Sequence, residues 1–154
     1  MQVHNQQPSI EEITVLSYPD GRLLDVPLDE LTRQVLAGAR GADAFRVFDD
    51  GGVTGHPDHC HATCAAVAAA EACGIPVLAW AIPHAVAGQL NAEFGTGFVG
   101  REDFELDLCI EVDRTRQLEA IAAHHTQVTG TPVLWRRMDL QGERECVRSL
   151  RRTA

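Results

Sequence analysis

Residues Phe45 to Ile82 read FRVFDDGGVTGHPDHCHATCAAVAAAEACGIPVLAWAI, and the order of patterns in them decides the fold class. FRVF at Phe45–Phe48 is a short run of aromatic and β-branched residues that predicts a strand, with Asp49, Asp50 and a cluster of glycines delivered at its end. Pro57 stands at a first helical position, where its missing N–H costs nothing. The alanine-rich Ala62–Cys73 behind it predicts a helix closed by Gly74. Pro76–Ile82 (PVLAWAI) is nearly continuous apolar sequence, the pattern of a strand buried on both faces. Strand, helix and strand in succession predict an α/β domain, a mostly parallel sheet covered by helices.

Upstream, ITVL at Ile13–Leu16 reads as a short strand stopped by YPDGR at Tyr18–Arg22, whose Pro-Asp-Gly is a turn signal. Apolar residues at Leu28, Leu31, Val35, Leu36 and Ala39 keep a helical period, with Asp29 and Glu30 favourable in the first turn. Downstream, His84–Glu93 predicts a helix before a glycine-broken loop, Leu106–Val112 a half-exposed strand, and Arg114–Gln127 a helix. Leu134–Met138 is assigned to an edge strand and Glu143–Arg152 to a short terminal helix.

The chain of 154 residues has the length of one domain, and residues 1–12 are polar enough to expect a flexible start. All 13 basic residues are arginine, against 22 acidic ones. The net charge of −9 argues against nucleic acid as a partner. Five cysteines (Cys60, Cys64, Cys73, Cys109 and Cys146) without a CxxC pair predict free thiols in a reducing compartment. With no apolar targeting segment and no run of about 20 apolar residues, a soluble cytoplasmic protein with no membrane partner is expected.

Sites in open parallel sheets gather at the C-terminal ends of strands, where Asp49–His59 should lie. His56 and His59 are of the type that binds zinc, and Asp58 can orient a ligand or polarise water. Each histidine, taken alone, has an equally good reading as a polar residue satisfied within its loop; together with Asp58, Asp49, Asp50 and the glycines they favour a site. Cys60 and Cys64 share a helix face but read as packing residues of an alanine-rich helix. A weaker reading joins His56, His59 and His61 or Cys64 in a structural metal site. His84, at a predicted strand end, can reach the same rim, and His124 and His125 read as cations at a helix C-terminus.

Three motifs in order, YPDGRL at Tyr18–Leu23, FDDGGVTGHPDH at Phe48–His59 and AHHTQ at Ala123–Gln127, resemble those of the LmbE/PIG-L family, zinc-dependent N-deacetylases and amidases of N-acetylglucosamine derivatives and related conjugates. The resemblance implies a Rossmann-like sheet and a cytoplasmic hydrolase of an amidated sugar. In it His59 is the zinc ligand of this segment, His56 stabilises the oxyanion of the tetrahedral intermediate, and Asp58 orients its neighbours. Asp49, Asp50 and His124 would support the pocket. The family's opening motif, AHPDDE, which carries the other two zinc ligands and the general base, is absent from this sequence.

On that reading the first strands of the family fold are missing, so an unpaired strand edge and an apolar face are expected, covered by self-association or by a complementing N-terminal segment. One remaining ligand does not hold catalytic zinc. The chain alone is expected to be a poor enzyme. A second reading, from a different class, makes it a non-catalytic module that binds a sugar or a partner subunit.

Overall fold

A computed structural model describes residues 13–123 and 130–151. The expectations placed on residues 1–12, on His124 and on His125 lie outside the described residues. The central unit is built as the sequence predicts. Strand β1 (Phe45–Phe48) leads through a short helical turn α2 (Gly52–Gly55) into helix α3 (Pro57–Cys73), which returns to strand β2 (Val77–Pro83). Pro57 opens α3, and Gly74, with φ +68°, closes it in the left-handed conformation that glycine adopts without a Cβ clash. β1 and β2 run parallel, with Phe45 opposite Val77 and Phe48 opposite Trp80.

Helix α1 (Leu28–Gly38) packs on α3, and α3 lies against β1 and β2. Its inner side is nearly all alanine, with Ala65, Ala69 and Ala70 fully buried, so the helix approaches its neighbours closely. After β2 come helix α4 (His84–Phe94), the two-residue strand β3 (Gly100–Arg101), strand β4 (Leu108–Glu111) and helix α5 (Thr115–Ala123). Gly100 has no room for a side chain, since a Cβ there would stand 2.6 Å from both the Ala87 Cβ and the His84 Cα. β3 is thereby seated directly on α4.

The last third of the chain corrects the sequence reading. Leu134–Met138 is no edge strand but part of helix α6 (Pro132–Gln141), which starts with proline at its first position and packs on α4. Glu143–Arg152 is no helix but strand β5 (Arg144–Arg151), inserted antiparallel between β2 and β4. The strand order is therefore β1-β2-β5-β4, with β3 paired parallel to the end of β2, and the sheet is mixed rather than mostly parallel.

Three further expectations change. Ile13–Leu16 forms no strand, and Ile13 and Val15 are 75% and 85% exposed. β2 is closed along its whole length on one face, where Val77, Ala79 and Ala81 are buried, whereas on the other Leu78 is 39% exposed, Trp80 half-buried and Ile82 buried. Cys109 and Cys146 sit opposite each other on β4 and β5 and form a disulfide, which leaves Cys60, Cys64 and Cys73 as the free thiols. Two of the five cysteines are thus not free thiols and do not speak for a reducing compartment.

Among the described residues β1 pairs only with β2, through the amides of Phe45 and Asp49, which donate to the Pro76 and Trp80 carbonyls. Alternation along a strand then turns the backbone groups of Arg46 and Phe48 outward. The Phe48 carbonyl is satisfied by the Thr63 hydroxyl of α3 at 3.0 Å. No helix among the described residues is long and apolar enough to cross a membrane.

Candidate functional site

The loop from Asp49 to His56 is held from below by a buried, strained residue. Val53 has φ +60° and ψ −58°, a conformation rare for a β-branched side chain, and it is almost wholly buried against Ile82 and Ala87 with Trp80 and Phe98 beside them. Its carbonyl accepts the Val99 amide at 2.8 Å. Packing and this hydrogen bond hold the backbone where its local preference would not, and the loop turns sharply up to the start of α3.

His56 is the N-cap of α3: its Nδ1 accepts the Asp58 amide at 3.2 Å. A neutral imidazole that accepts at Nδ1 carries its proton on Nε2. His56 is thus set up as a hydrogen-bond donor to whatever faces the loop. His59, three residues on, lies on the same side of the helix, with ring centroids 5.0 Å apart. The His59 ring is stacked on Phe48 at 4.3 Å and 15°. The expected pairing of the two histidines at the end of β1 is present.

Asp58 does something the sequence did not disclose. Its Oδ2 accepts the Gly21 amide at 2.8 Å and its Oδ1 the Leu23 amide at 3.1 Å. The carboxylate joins the YPDGRL turn to the first turn of α3, where the helix dipole also favours its charge. Two motifs far apart in the chain are one structural unit.

Asp49 and Asp50 are engaged from the other side. Asp49 is fully buried and takes Arg101 Nε on Oδ2 at 2.7 Å and Arg148 on Oδ1; Asp50 takes Arg101 on one oxygen and Arg148 Nη2 on the other at 2.7 Å. Burial disfavours the Asp50 charge, but the Arg148 hydrogen bond and the charges of Arg148 and Arg101 outweigh it and hold the carboxyl below its usual range. Burial likewise works against the Arg148 charge, and its bonds to Asp49 and Asp50 overcome that and raise its pKa. This quartet ties the end of β1 to β3 and β5. Arg101 and Arg148 were missed from sequence: nothing local marks the first, and the second lay in the stretch read as a helix.

The other candidates fall away from the histidine pair. His61 Nε2 lies 2.9 Å from the Val26 carbonyl, and His84 Nδ1 lies 3.5 Å from Glu102. Catalytic zinc takes three protein ligands. Among the described residues no three His, Cys, Asp or Glu side chains converge to hold a metal ion. Both Asp58 oxygens are committed to backbone amides, and the His59 ring lies flat on Phe48. The described residues do not by themselves fit a zinc centre.

The sequence matches no family model and no curated protein at a significant level.

Proposed function

We propose that this chain supplies one wall of an amide-hydrolase pocket of the LmbE/PIG-L type, on a sheet that is part of a Rossmann-like one. The observation that carries the reading is the His56–His59 pair, presented at the C-terminal end of β1 beside an edge that no described strand covers. A parallel strand added to that edge would end next to the two histidines, the position from which further ligands and a general base must come. The role proposed for His56 is donation from Nε2 to the oxygen of a substrate carbonyl as it gains negative charge. His59 is proposed as this chain's contribution to a zinc ligand set, Asp58 as the residue that fixes the start of α3, and the substrate as an N-acylated amino sugar. Asp49 and Asp50 support the loop through their arginines.

The test compares the chain alone with the same chain co-expressed with a segment carrying an AHPDDE motif and a preceding strand. Zinc content and release of acetate from an N-acetylglucosamine conjugate are measured for both. The chain alone is expected to show neither stoichiometric zinc nor turnover. The complemented chain is expected to show both, and His59→Ala to remove them. Zinc binding and turnover that are indifferent to His59→Ala would sink the proposal.

The incomplete ligand set favours the second reading, a non-catalytic sugar- or partner-binding module. Saturable binding of the N-acetylglucosamine conjugate, with no turnover when complemented, would select it.

A further inference from the structure

Beside Phe48, on which His59 stacks, lie two cavities, of about 730 Å³ and about 290 Å³, that share Phe48, Trp80 and Arg137 in their walls. Arg137, on α6, is 9% exposed. Its guanidinium lies over the Trp80 ring, 4.8 Å from the centroid, and Nη1 donates to Gln141 Oε1 at 3.2 Å. Among the described residues no carboxylate lies within ion-pairing distance of it. The acid that comes nearest to serving, Glu145, is taken by the Trp80 indole N–H and by Arg114. Asp113, on the wall of the larger cavity, accepts the Thr115 amide at the start of α5.

A buried cation without a counter-ion is costly, and proteins normally pair it. Burial lowers the pKa of Arg137 more than the charge of nearby Glu145, with which it makes no ion pair, raises it, and Arg137 stays a cation at neutral pH. The smaller cavity beside it is lined by Phe98, Val133, Leu134, His59 and the two shared aromatic rings. A guanidinium fork facing an aromatic slot suits a planar apolar body that ends in a carboxylate. A single guanidinium balances one negative charge, not the two of a phosphate monoester.

We infer that this cavity is a binding site for a small aromatic carboxylate, whose ring lies among Phe48, Trp80 and Phe98 and whose carboxylate pairs with Arg137. The site needs no metal, and its charge partner is Arg137 rather than the histidine pair. It stands or falls separately from the hydrolase reading.

The experiment uses the full chain with 2-naphthoate and its neutral counterpart 2-naphthalenemethanol, followed by calorimetry and by the NMR signal of the Trp80 indole N–H. 2-Naphthoate is expected to bind saturably and shift that signal, at least about tenfold more tightly than the alcohol, as befits a buried charge-assisted hydrogen bond. Arg137→Gln is expected to abolish the difference and Arg137→Lys to keep part of it. If Arg137→Gln does not fold, the comparison of acid and alcohol on the unmodified chain decides alone. Equal binding of the two, no saturation by 2-naphthoate, or an unchanged preference in a folded Arg137→Gln would overturn the inference.

Discussion

At the scale of single residues, the site is shaped by which polar atoms already have partners. Asp58 has the sequence position of a catalytic carboxylate, yet its two oxygens serve the Gly21 and Leu23 amides. Removing it leaves two donors and a helix start without their acceptor. Asp58→Ala is expected to destabilise the fold by about 1.5–3 kcal/mol, the scale of hydrogen bonds to a charged group. The Gly21 and Leu23 amides should lose hydrogen-exchange protection at the same time, and unchanged protection there would show that the carboxylate does not hold the turn. Asp50 makes a prediction of a different kind. Its folded pKa is lowered from 3.8 by the arginines that outweigh its burial, so its contribution is complete above the unfolded value of about 3.9 and is lost as pH falls through the lower, folded one. Asp50→Asn should reduce stability at neutral pH and flatten its decline below about pH 4. If urea unfolding of the two proteins declines equally over that range, the ion-pair account of the loop is wrong.

At the scale of elements, legibility followed how local the deciding interactions are. α1, α3 and α4 could be read because their start and stop residues, Pro57 and Gly74 above all, act within one turn of the chain. β1 could be read for the same reason. RECVRSLR at Arg144–Arg151 has many good helix formers, but it lies between β2 and β4, and the ladders on both its edges override that preference. ITVL has strong strand character, yet it joins neither of the sheet's outer strands, and Ile13 and Val15 are exposed. Within the site, the GHPDH histidines were legible as a local cluster, whereas the Arg101–Asp49–Arg148 bridge spans three elements and leaves no local trace. The Cys109–Cys146 bond was equally hidden, since it depends on the pairing of β4 with β5. It closes a loop of 37 residues. In the chain-entropy account a loop of that size stabilises by at most about 4 kcal/mol. Reduction is expected to lower the urea midpoint, and the double variant Cys109→Ser with Cys146→Ser should reproduce the reduced protein. A midpoint insensitive to reductant would remove this bond from the account of stability.

At the scale of the whole molecule, the sheet has one closed face and one that is largely open. The register places Phe48, Leu78, Leu108 and Ile110 on the same face as Trp80. These four are 42%, 39%, 54% and 48% exposed. α6 reaches this face at Trp80 through Arg137, and Arg114 reaches it at Glu145, which leaves the apolar residues of β4 uncovered. α5 has no buried residue, and Leu118 on it is 42% exposed. Apolar area of this kind, next to a β1 edge that no described strand pairs, favours contact with another chain. The net charge of −9 opposes it by long-range repulsion, which salt screens. Self-association should therefore strengthen as salt is added, the reverse of an interface held by ion pairs. Sedimentation equilibrium should show an average mass that rises with concentration, and more steeply at high salt. Leu108→Glu with Ile110→Lys breaks the apolar surface without touching the closed face or changing the net charge. It should return the protein to a monomer at every salt concentration. If the mass stays that of a monomer throughout, the open face does not attract its own kind, and the drive to cover it must be met by a partner of different sequence.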